Sequence, residues 1–181
     1  MSRKYKFHNK EGLYFVSFAT VYWIDVFTRR IYFDEVTKSI IFCKENKGME
    51  VYAWCIMTNH VHLIFRSKEG NPSELMRALK TYTSNAIQKM ISTNTQESRR
   101  EWMLWMMERA ASKMSNVKHK QFWRQDNKPI ELWSSKVIDQ KLEYIHMNPV
   151  AAGFVLEPEH WTYSSALDFA GRKGLIELSE L

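Results

Sequence analysis

In the first third of the chain, the pattern of apolar and polar positions predicts a strand, a helix and two further strands. Residues 13–23 are dense in Val, Phe, Tyr and Thr, which favours a strand. Apolar residues at helical spacing over residues 31–47 predict a helix, and Gly48 is a typical helix end. Residues 50–57 and 60–66 are two apolar, β-rich runs, and the short connection between them suits a hairpin.

The next helix has a marked start. Asn71 is suited to cap it, Pro72 to occupy its first position, and Glu74 to complete a capping box. Its apolar residues recur at helical spacing and predict one buried face. That predicted face consists of Leu75, Leu79, Tyr82, Ala86 and Met90.

The last third of the chain predicts two helices around a short strand. After a polar break, residues 99–113 form a helical pattern, and residues 129–133 have the pattern of a short strand. Ser134 or Ser135 is suited to cap a final helix over residues 136–147.

The order of these elements predicts the fold class. Pro149 is expected to end the final helix, so the order is β-α-β-β-α-(α)-β-α. This is close to an α+β ferredoxin-like sandwich, an antiparallel sheet with packed helices. In that plan, residues 92–121 are a helical insertion.

Composition and charge fit one folded domain. The chain has 181 residues, of which 45% are hydrophobic and 25% charged, which excludes wholesale disorder. The longest apolar stretch, residues 13–27, contains polar residues and is too short to cross a membrane. Cys43 and Cys55 form no disulfide framework, which indicates a reducing cytoplasm. The net charge of +6 permits a polyanionic partner without requiring one.

His60 and His62 lie in the predicted strand 60–66. Because side chains alternate along a strand, both imidazoles point to the same face, about 6.6 Å apart, while Val61 points to the other. Two imidazoles at that spacing can bind one metal ion. The alternative is two partly exposed histidines that are hydrogen-bonded to their neighbours.

The final helix carries polar side chains beside its packing stripe. Lys141, Tyr144 and Asn148 fall on one stripe at i, i+3 and i+7. An amide oxygen can bind a hard divalent cation, and a phenol beside it would be held near the metal. The alternative is a half-buried tyrosine and an asparagine that ends the helix. The packing stripe consists of Ile138, Leu142 and Ile145.

Two longer motifs contain these residues, MTNHVHLI at residues 57–64 and YIHMNPVAAGFV at residues 144–155. In this order they resemble the single-tyrosine HUH transposases. Within that superfamily they resemble the REP-associated tyrosine transposases, which are related to the small transposases of the IS200/IS605 insertion sequences. FW at residues 122–123 and WTYSS at residues 161–165 match further segments of that branch. The resemblance covers residues 13–165.

The resemblance implies a ferredoxin-like core that binds single-stranded DNA, often as a hairpin. By that similarity His60, His62 and Asn148 are metal ligands for Mg²⁺ or Mn²⁺, and Tyr144 is the nucleophile. Its attack on a phosphodiester leaves a 5′-phosphotyrosine link and a free 3′-OH, and the reverse attack joins strands. The transposase domain is expected at residues 1–166, followed by a C-terminal tail, residues 167–181.

Single-strand binding needs cations along the phosphate path and aromatic faces for unpaired bases. We expect a DNA-bound, cytoplasmic protein that is active in transposition or in processing repeated hairpins, and that can form a homodimer. Two alternatives are a hairpin-binding protein on the same fold without chemistry, and a metallohydrolase that uses the histidine pair with water. The candidate DNA-binding residues are Lys80, Lys141, Arg124, Trp123, Arg3 and Lys4.

Overall fold

In residues 6–113 and 120–180, which the computed structural model describes, four strands pair to form one antiparallel sheet. The strands are β1 (Tyr14–Ala19), β2 (Met49–Ile56), β3 (His60–Ser67) and β4 (Ile130–Glu131). The order across the sheet is β2-β3-β1-β4. Together with the helices that connect the strands, this confirms the predicted ferredoxin-like α+β arrangement.

Helices pack on both faces of this sheet. They are α1 (Arg30–Lys47), α2 (Pro72–Thr93), α3 (Arg100–Ala111), α4 (Ser135–Ala151) and α5 (Ala166–Phe169), with single 3-10 turns at Val21–Trp23 and Pro158–His160. The larger core lies on the face of α1 and α2, and Val61, Leu63 and Phe65 of β3 point into it. Ile64 points to the other face, where it packs in a smaller core with Ile145 of α4. Because β3 alternates in this way, His60 and His62 lie on the face that α4 covers.

The helix α2 differs from its prediction at its start and along its buried face. The side chain of Asn71 makes no capping hydrogen bond, and Glu74 pairs with Arg77 instead of closing a capping box. Tyr82, predicted to be buried, is exposed, whereas its neighbour Thr83 is buried. Thr83 is accommodated there because its hydroxyl donates to the carbonyl of Leu79 at 2.7 Å, as helical threonines can.

Pro149 does not end the last long helix, contrary to the prediction. It lies inside α4, which continues to Ala151. The start was predicted correctly, since Ser134 caps the helix by accepting a hydrogen bond from the backbone of Val137 at 3.4 Å. Among the described residues, no helix is long and apolar enough to cross a membrane.

The C-terminal residues are not a detached tail. Ile176 is fully buried in the larger core. Ser179 donates its backbone N–H to the carbonyl of Val51 in β2 at 2.7 Å, and Lys44 of α1 pairs with Glu177 at 3.3 Å. The expected tail after residue 166 therefore packs against the sheet, and the domain boundary there stays a prediction.

A buried carboxylate ties the predicted insertion to the start of α1. Glu97 precedes α3 and its side chain is 1% exposed; it accepts from Nε of Arg29 at 2.9 Å and from Nε of Arg99 at 3.2 Å. Burial alone would raise the pKa of Glu97, but the hydrogen bonds from the two guanidinium groups outweigh it and hold that pKa below its usual value.

Replacing Glu97 by Ala is expected to lower the free energy of unfolding at pH 7 by about 2 kcal/mol, because the hydrogen bonds from two guanidinium groups to a buried carboxylate are lost. A group with a depressed pKa stabilises the fold above its unfolded pKa and loses this effect as pH falls through its folded pKa. The difference between wild type and variant should therefore shrink toward pH 3, as urea denaturation would show. Glu101→Ala, at an exposed carboxylate of α3, is the control, and equal effects of both variants would contradict this account.

Candidate active site

The strand β3 presents His60 and His62 side by side on the face covered by α4. Their ring centroids are 4.6 Å apart, and His62 also stacks on Phe15 of β1 at 5.6 Å. Burial lowers the pKa of His60, and it lowers the pKa of His62 to about 3, with the nearby charges of His60 and Lys141 adding to the effect. Both rings are therefore neutral at pH 7, which is the form that can bind a metal ion.

The helix α4 places Tyr144 and Asn148 against this pair. The Asn148 amide nitrogen lies 3.2 Å from Nε2 of His62, and Asn148 also reaches His60. The Tyr144 ring meets the His62 ring edge-on, with centroids 5.2 Å apart. Tyr144 is 49% exposed, so its side chain is partly open to solvent. The structure thus brings all four residues together within one chain.

The segment after α4 holds this helix against β2. Ser165 bonds both backbone groups of Trp54, and its hydroxyl lies 2.9 Å from Nε2 of His146, two residues beyond Tyr144. Trp161 donates its indole N–H to the carbonyl of Ile56 at 3.0 Å. The WTYSS motif therefore fixes the position of the helix that carries the candidate nucleophile.

Two polar residues that the sequence did not single out orient His60. The amide oxygen of Asn59 lies 2.7 Å from Nδ1 of His60, and the amide nitrogen of Asn59 donates to Oδ1 of Asp25 at 2.9 Å. Because Asp25 fixes which way the amide points, Nδ1 of His60 is the nitrogen that carries the proton. Nε2 is then left as the lone-pair donor. The feature of the sequence that could have indicated this contact is the Asn that directly precedes His60.

The donor set fits a divalent ion that takes further ligands from elsewhere. Among the described residues, no group of three or more His, Cys, Asp or Glu could hold a metal, so the candidate set is two imidazoles and one amide. Nδ1 of His62 is buried and has no hydrogen-bond partner among the described residues. Nε2, the other ring nitrogen of His62, faces the Asn148 amide, which can turn its oxygen inward, so the two imidazoles and the amide suit a metal-binding site.

The predicted DNA-binding residues have different surroundings. The Lys141 ammonium lies 5.4 Å from the centroid of the Tyr144 ring, directly at the site. Arg124 is exposed. Lys80 instead donates to the carbonyl of Arg124 at 2.7 Å and to Oδ1 of Asn127 at 2.6 Å, and burial lowers its pKa to about 8. Lys80 therefore holds the segment around Arg124 in place, and its role in DNA binding stays a prediction.

Trp123 is a correction to the predicted set. It is 5% exposed, packs edge-on against Phe18 at 4.8 Å and donates its indole N–H to Thr83 at 2.9 Å. A buried indole offers no face to an unpaired base. Arg3 and Lys4 lie outside the described residues.

Comparison with known proteins shows the family of the chain. A family model described as "Transposase IS200 like" matches residues 11–125, more than half of the chain. The chain belongs to the IS200-like transposase family. The match ends before α4, so His60 and His62 lie inside the matched residues and Tyr144 and Asn148 lie beyond them.

Two proteins described as REP-associated tyrosine transposases are similar to this chain. A Haemophilus influenzae protein named as a REP-associated tyrosine transposase is 26% identical over 123 residues, which are 67% of this chain and 61% of that protein. This chain therefore aligns with less than two thirds of that relative. The solved structure of a REP-associated tyrosine transposase bound to a REP hairpin superposes with a TM-score of 0.64 at 18% identity, over 99% of this chain and 93% of that one. At that identity the likeness shows the shared fold.

Proposed function

We propose that the protein cleaves single-stranded DNA next to a hairpin and transfers the strand through a covalent link to Tyr144. The observation that carries this proposal is the meeting of the Tyr144 ring with His62, 5.2 Å between centroids, beside Asn148. Membership of the IS200-like transposases supports it, as does the hairpin bound by the structural relative.

In the proposed step, the phenol oxygen of Tyr144 bonds to the phosphorus of a phosphodiester and the bond from phosphorus to the 3′ oxygen breaks. The phenol proton passes to solvent, and the departing 3′ oxygen takes up a proton to become a free 3′-OH. The phosphate stays on Tyr144 as a 5′-phosphotyrosine, so the bond energy is conserved for rejoining. Lys141, 4.9 Å from the centroid of Phe15 and near Tyr144, stabilises negative charge that develops on the phenol oxygen.

His60, His62 and Asn148 would hold a divalent ion at this site. When bound, Mg²⁺ or Mn²⁺ would polarise a non-bridging oxygen of the scissile phosphate. Imidazole ligands favour Mn²⁺ over Mg²⁺, whereas the amide suits either. Asn59 and Asp25 support this role by keeping the proton of His60 on Nδ1, which leaves a lone pair on Nε2.

End-labelled DNA tests the proposed function. A hairpin oligonucleotide with single-stranded flanks is incubated with the protein and Mn²⁺, and the products are separated in SDS. We expect the 3′-labelled fragment to migrate with the protein and the 5′-labelled fragment to be released with a free 3′-OH. A free 5′-phosphate without an adduct would indicate the metallohydrolase, and binding without cleavage would indicate a hairpin-binding protein without chemistry.

The orientation of His60 makes a separate prediction. Asp25→Ala is expected to lower cleavage by about 10- to 100-fold and to raise the Mn²⁺ concentration needed for half-maximal rate, because the Asn59 amide that orients His60 loses its own partner. Asp25→Asn keeps an oxygen for Asn59 and should recover most of the rate. Asp139→Ala, at an exposed aspartate on α4, is the control. An unchanged Mn²⁺ requirement in Asp25→Ala would contradict the positioning role.

A further inference from the structure

Close to His60, two aromatic side chains stand on a strained turn and are half exposed. Tyr22 and Trp23 lie in the turn Val21–Trp23 and both have positive φ values, 54° and 55°. Residues with bulky side chains rarely adopt this left-handed conformation. Tyr22 is 42% and Trp23 is 49% exposed. Strain that places large apolar rings in solvent is typical of a functional site.

The strained turn is held from two sides. The Thr20 hydroxyl donates to the carbonyl of Ile24 at 2.8 Å, and the Thr20 backbone N–H donates to the carbonyl of Asn59 at 2.9 Å. On the other side, the backbone N–H of Val21 donates to the carbonyl of Phe122 at 2.8 Å. The turn is therefore fixed relative to the residue that precedes His60, which gives the exposed rings a defined position next to the site.

Positive charges accompany both rings. The Arg124 guanidinium lies 5.5 Å from the centroid of the Trp23 ring, and the Lys113 ammonium lies 5.5 Å from the centroid of the Tyr22 ring. These four side chains line a shallow cleft of about 430 Å³ between the turn and the end of α3. Aromatic faces combined with cations are what single-stranded nucleic acids bind, because every base has a face to stack and every linkage a negative charge.

We propose that Trp23 is a platform on which one unpaired base of the DNA substrate stacks, while Arg124 and Lys113 bind the flanking phosphates. The Trp23 ring lies 5.6 Å from the ring of His60 in the proposed active site, so this inference rests on the proposed function. The stacked base therefore belongs to a nucleotide beside the scissile phosphate. Stacking tolerates any base, so this position selects unpaired DNA without reading its sequence.

Binding without cleavage tests the platform. Fluorescence anisotropy is measured in EDTA with the full chain and a hairpin oligonucleotide that carries single-stranded flanks. We expect Trp23→Ala to raise the Kd by about 5- to 100-fold and Trp23→Phe to raise it less. Trp102→Ala is the matched control, because Trp102 is an equally exposed tryptophan, 48%, on α3. A blunt hairpin without flanks should bind wild type and Trp23→Ala alike.

An abasic scan locates the stacked base. Removing one base at a time from the flanks should weaken wild-type binding most at a single position next to the cleavage site. Trp23→Ala should be insensitive to loss of that same base, because the stacking partner is already missing. Any one of three results overturns the proposal. Wild type does not bind the flanks, Trp23→Ala binds them as tightly as wild type does, or each abasic position weakens binding by the variant as much as binding by wild type.

The two proposals can fail separately. If wild type forms the covalent adduct while Trp23→Ala binds normally, the platform is wrong and the chemistry stands. If binding depends on Trp23 but no adduct forms under any divalent ion, the platform stands and the chemistry is wrong. Thermal melting of Trp23→Ala and Trp23→Phe checks the fold, and Trp23→Phe decides the matter if the Ala variant does not fold.

Discussion

Replacing Tyr144 by Phe is expected to abolish the covalent protein–DNA adduct and to leave hairpin binding close to that of wild type. The substitution removes only the phenol oxygen, and the proposed step has no other nucleophile. We expect strand cleavage to fall by at least about 1,000-fold, as is typical when a covalent nucleophile is removed. The ring itself stays, so its edge contact with His62 and the packing of α4 should be retained.

The control for this variant is Tyr82→Phe. Tyr82 is 60% exposed on α2, so the same atom is removed from a similar surface tyrosine. Tyr82→Phe should form the adduct at the wild-type rate. An adduct in Tyr144→Phe at a comparable rate would show that another group attacks the phosphate.

His62→Ala is expected to reduce cleavage by about 100-fold or more at saturating Mn²⁺. The ring is 2% exposed and contacts Asn148, Phe15 and Tyr144, so its loss removes a candidate ligand and a packing partner of the nucleophile. His62→Gln keeps much of the side-chain volume and a polar end, and separates these two effects. It should melt near the wild-type temperature and still lose most of the activity, because an amide is a weaker ligand than imidazole for Mn²⁺.

The matched control is His160→Ala, which removes an exposed imidazole after α4 and should change neither the rate nor the Mn²⁺ requirement. If His62→Gln cleaves with the wild-type rate and the wild-type Mn²⁺ dependence, His62 is not a metal ligand. The buried histidine would then be a structural residue of the smaller core.

The sequence predicted which residues share each face of the site, because side chains repeat regularly along a strand and along a helix. The alternation in β3 placed Val61, Leu63 and Phe65 in the larger core and both histidines on the other side. The helical spacing of Tyr144 and Asn148 put them on one face of α4. That the two faces meet was implied by the family resemblance alone, because the spacing between β3 and α4 along the chain says nothing about distance.

Other parts could not be predicted because they depend on contacts between distant segments. The sequence predicted Trp123 to bind DNA, whereas the structure buries that ring and exposes Trp23 close to His60. The residues that flank these two tryptophans in the sequence do not indicate which ring is buried and which is exposed. Asp25 orients His60 through Asn59. Asp25 and Asn59 are 34 positions apart along the chain, and they meet only because the chain returns past β1.

Pro149 shows why the end of α4 was predicted wrongly from the sequence. Proline disfavours a helix interior because it lacks an N–H and crowds the preceding turn, and this argument predicted the end of α4. The helix nevertheless continues to Ala151. Pro149 is buried, and the backbone N–H of Phe154 donates to its carbonyl at 2.9 Å, so tertiary packing overrides the local preference at this position.

Mass spectrometry of the trapped adduct tests the central claim most directly. After nuclease trimming of the DNA and digestion with trypsin, the peptide of residues 142–172 contains both Tyr144 and Tyr163, so fragmentation must assign the added mass. We predict a phosphonucleotide on Tyr144 and an unmodified Tyr163. A phosphonucleotide on Tyr163 or on any other residue, or a cleaved strand without any modified peptide, would contradict the account.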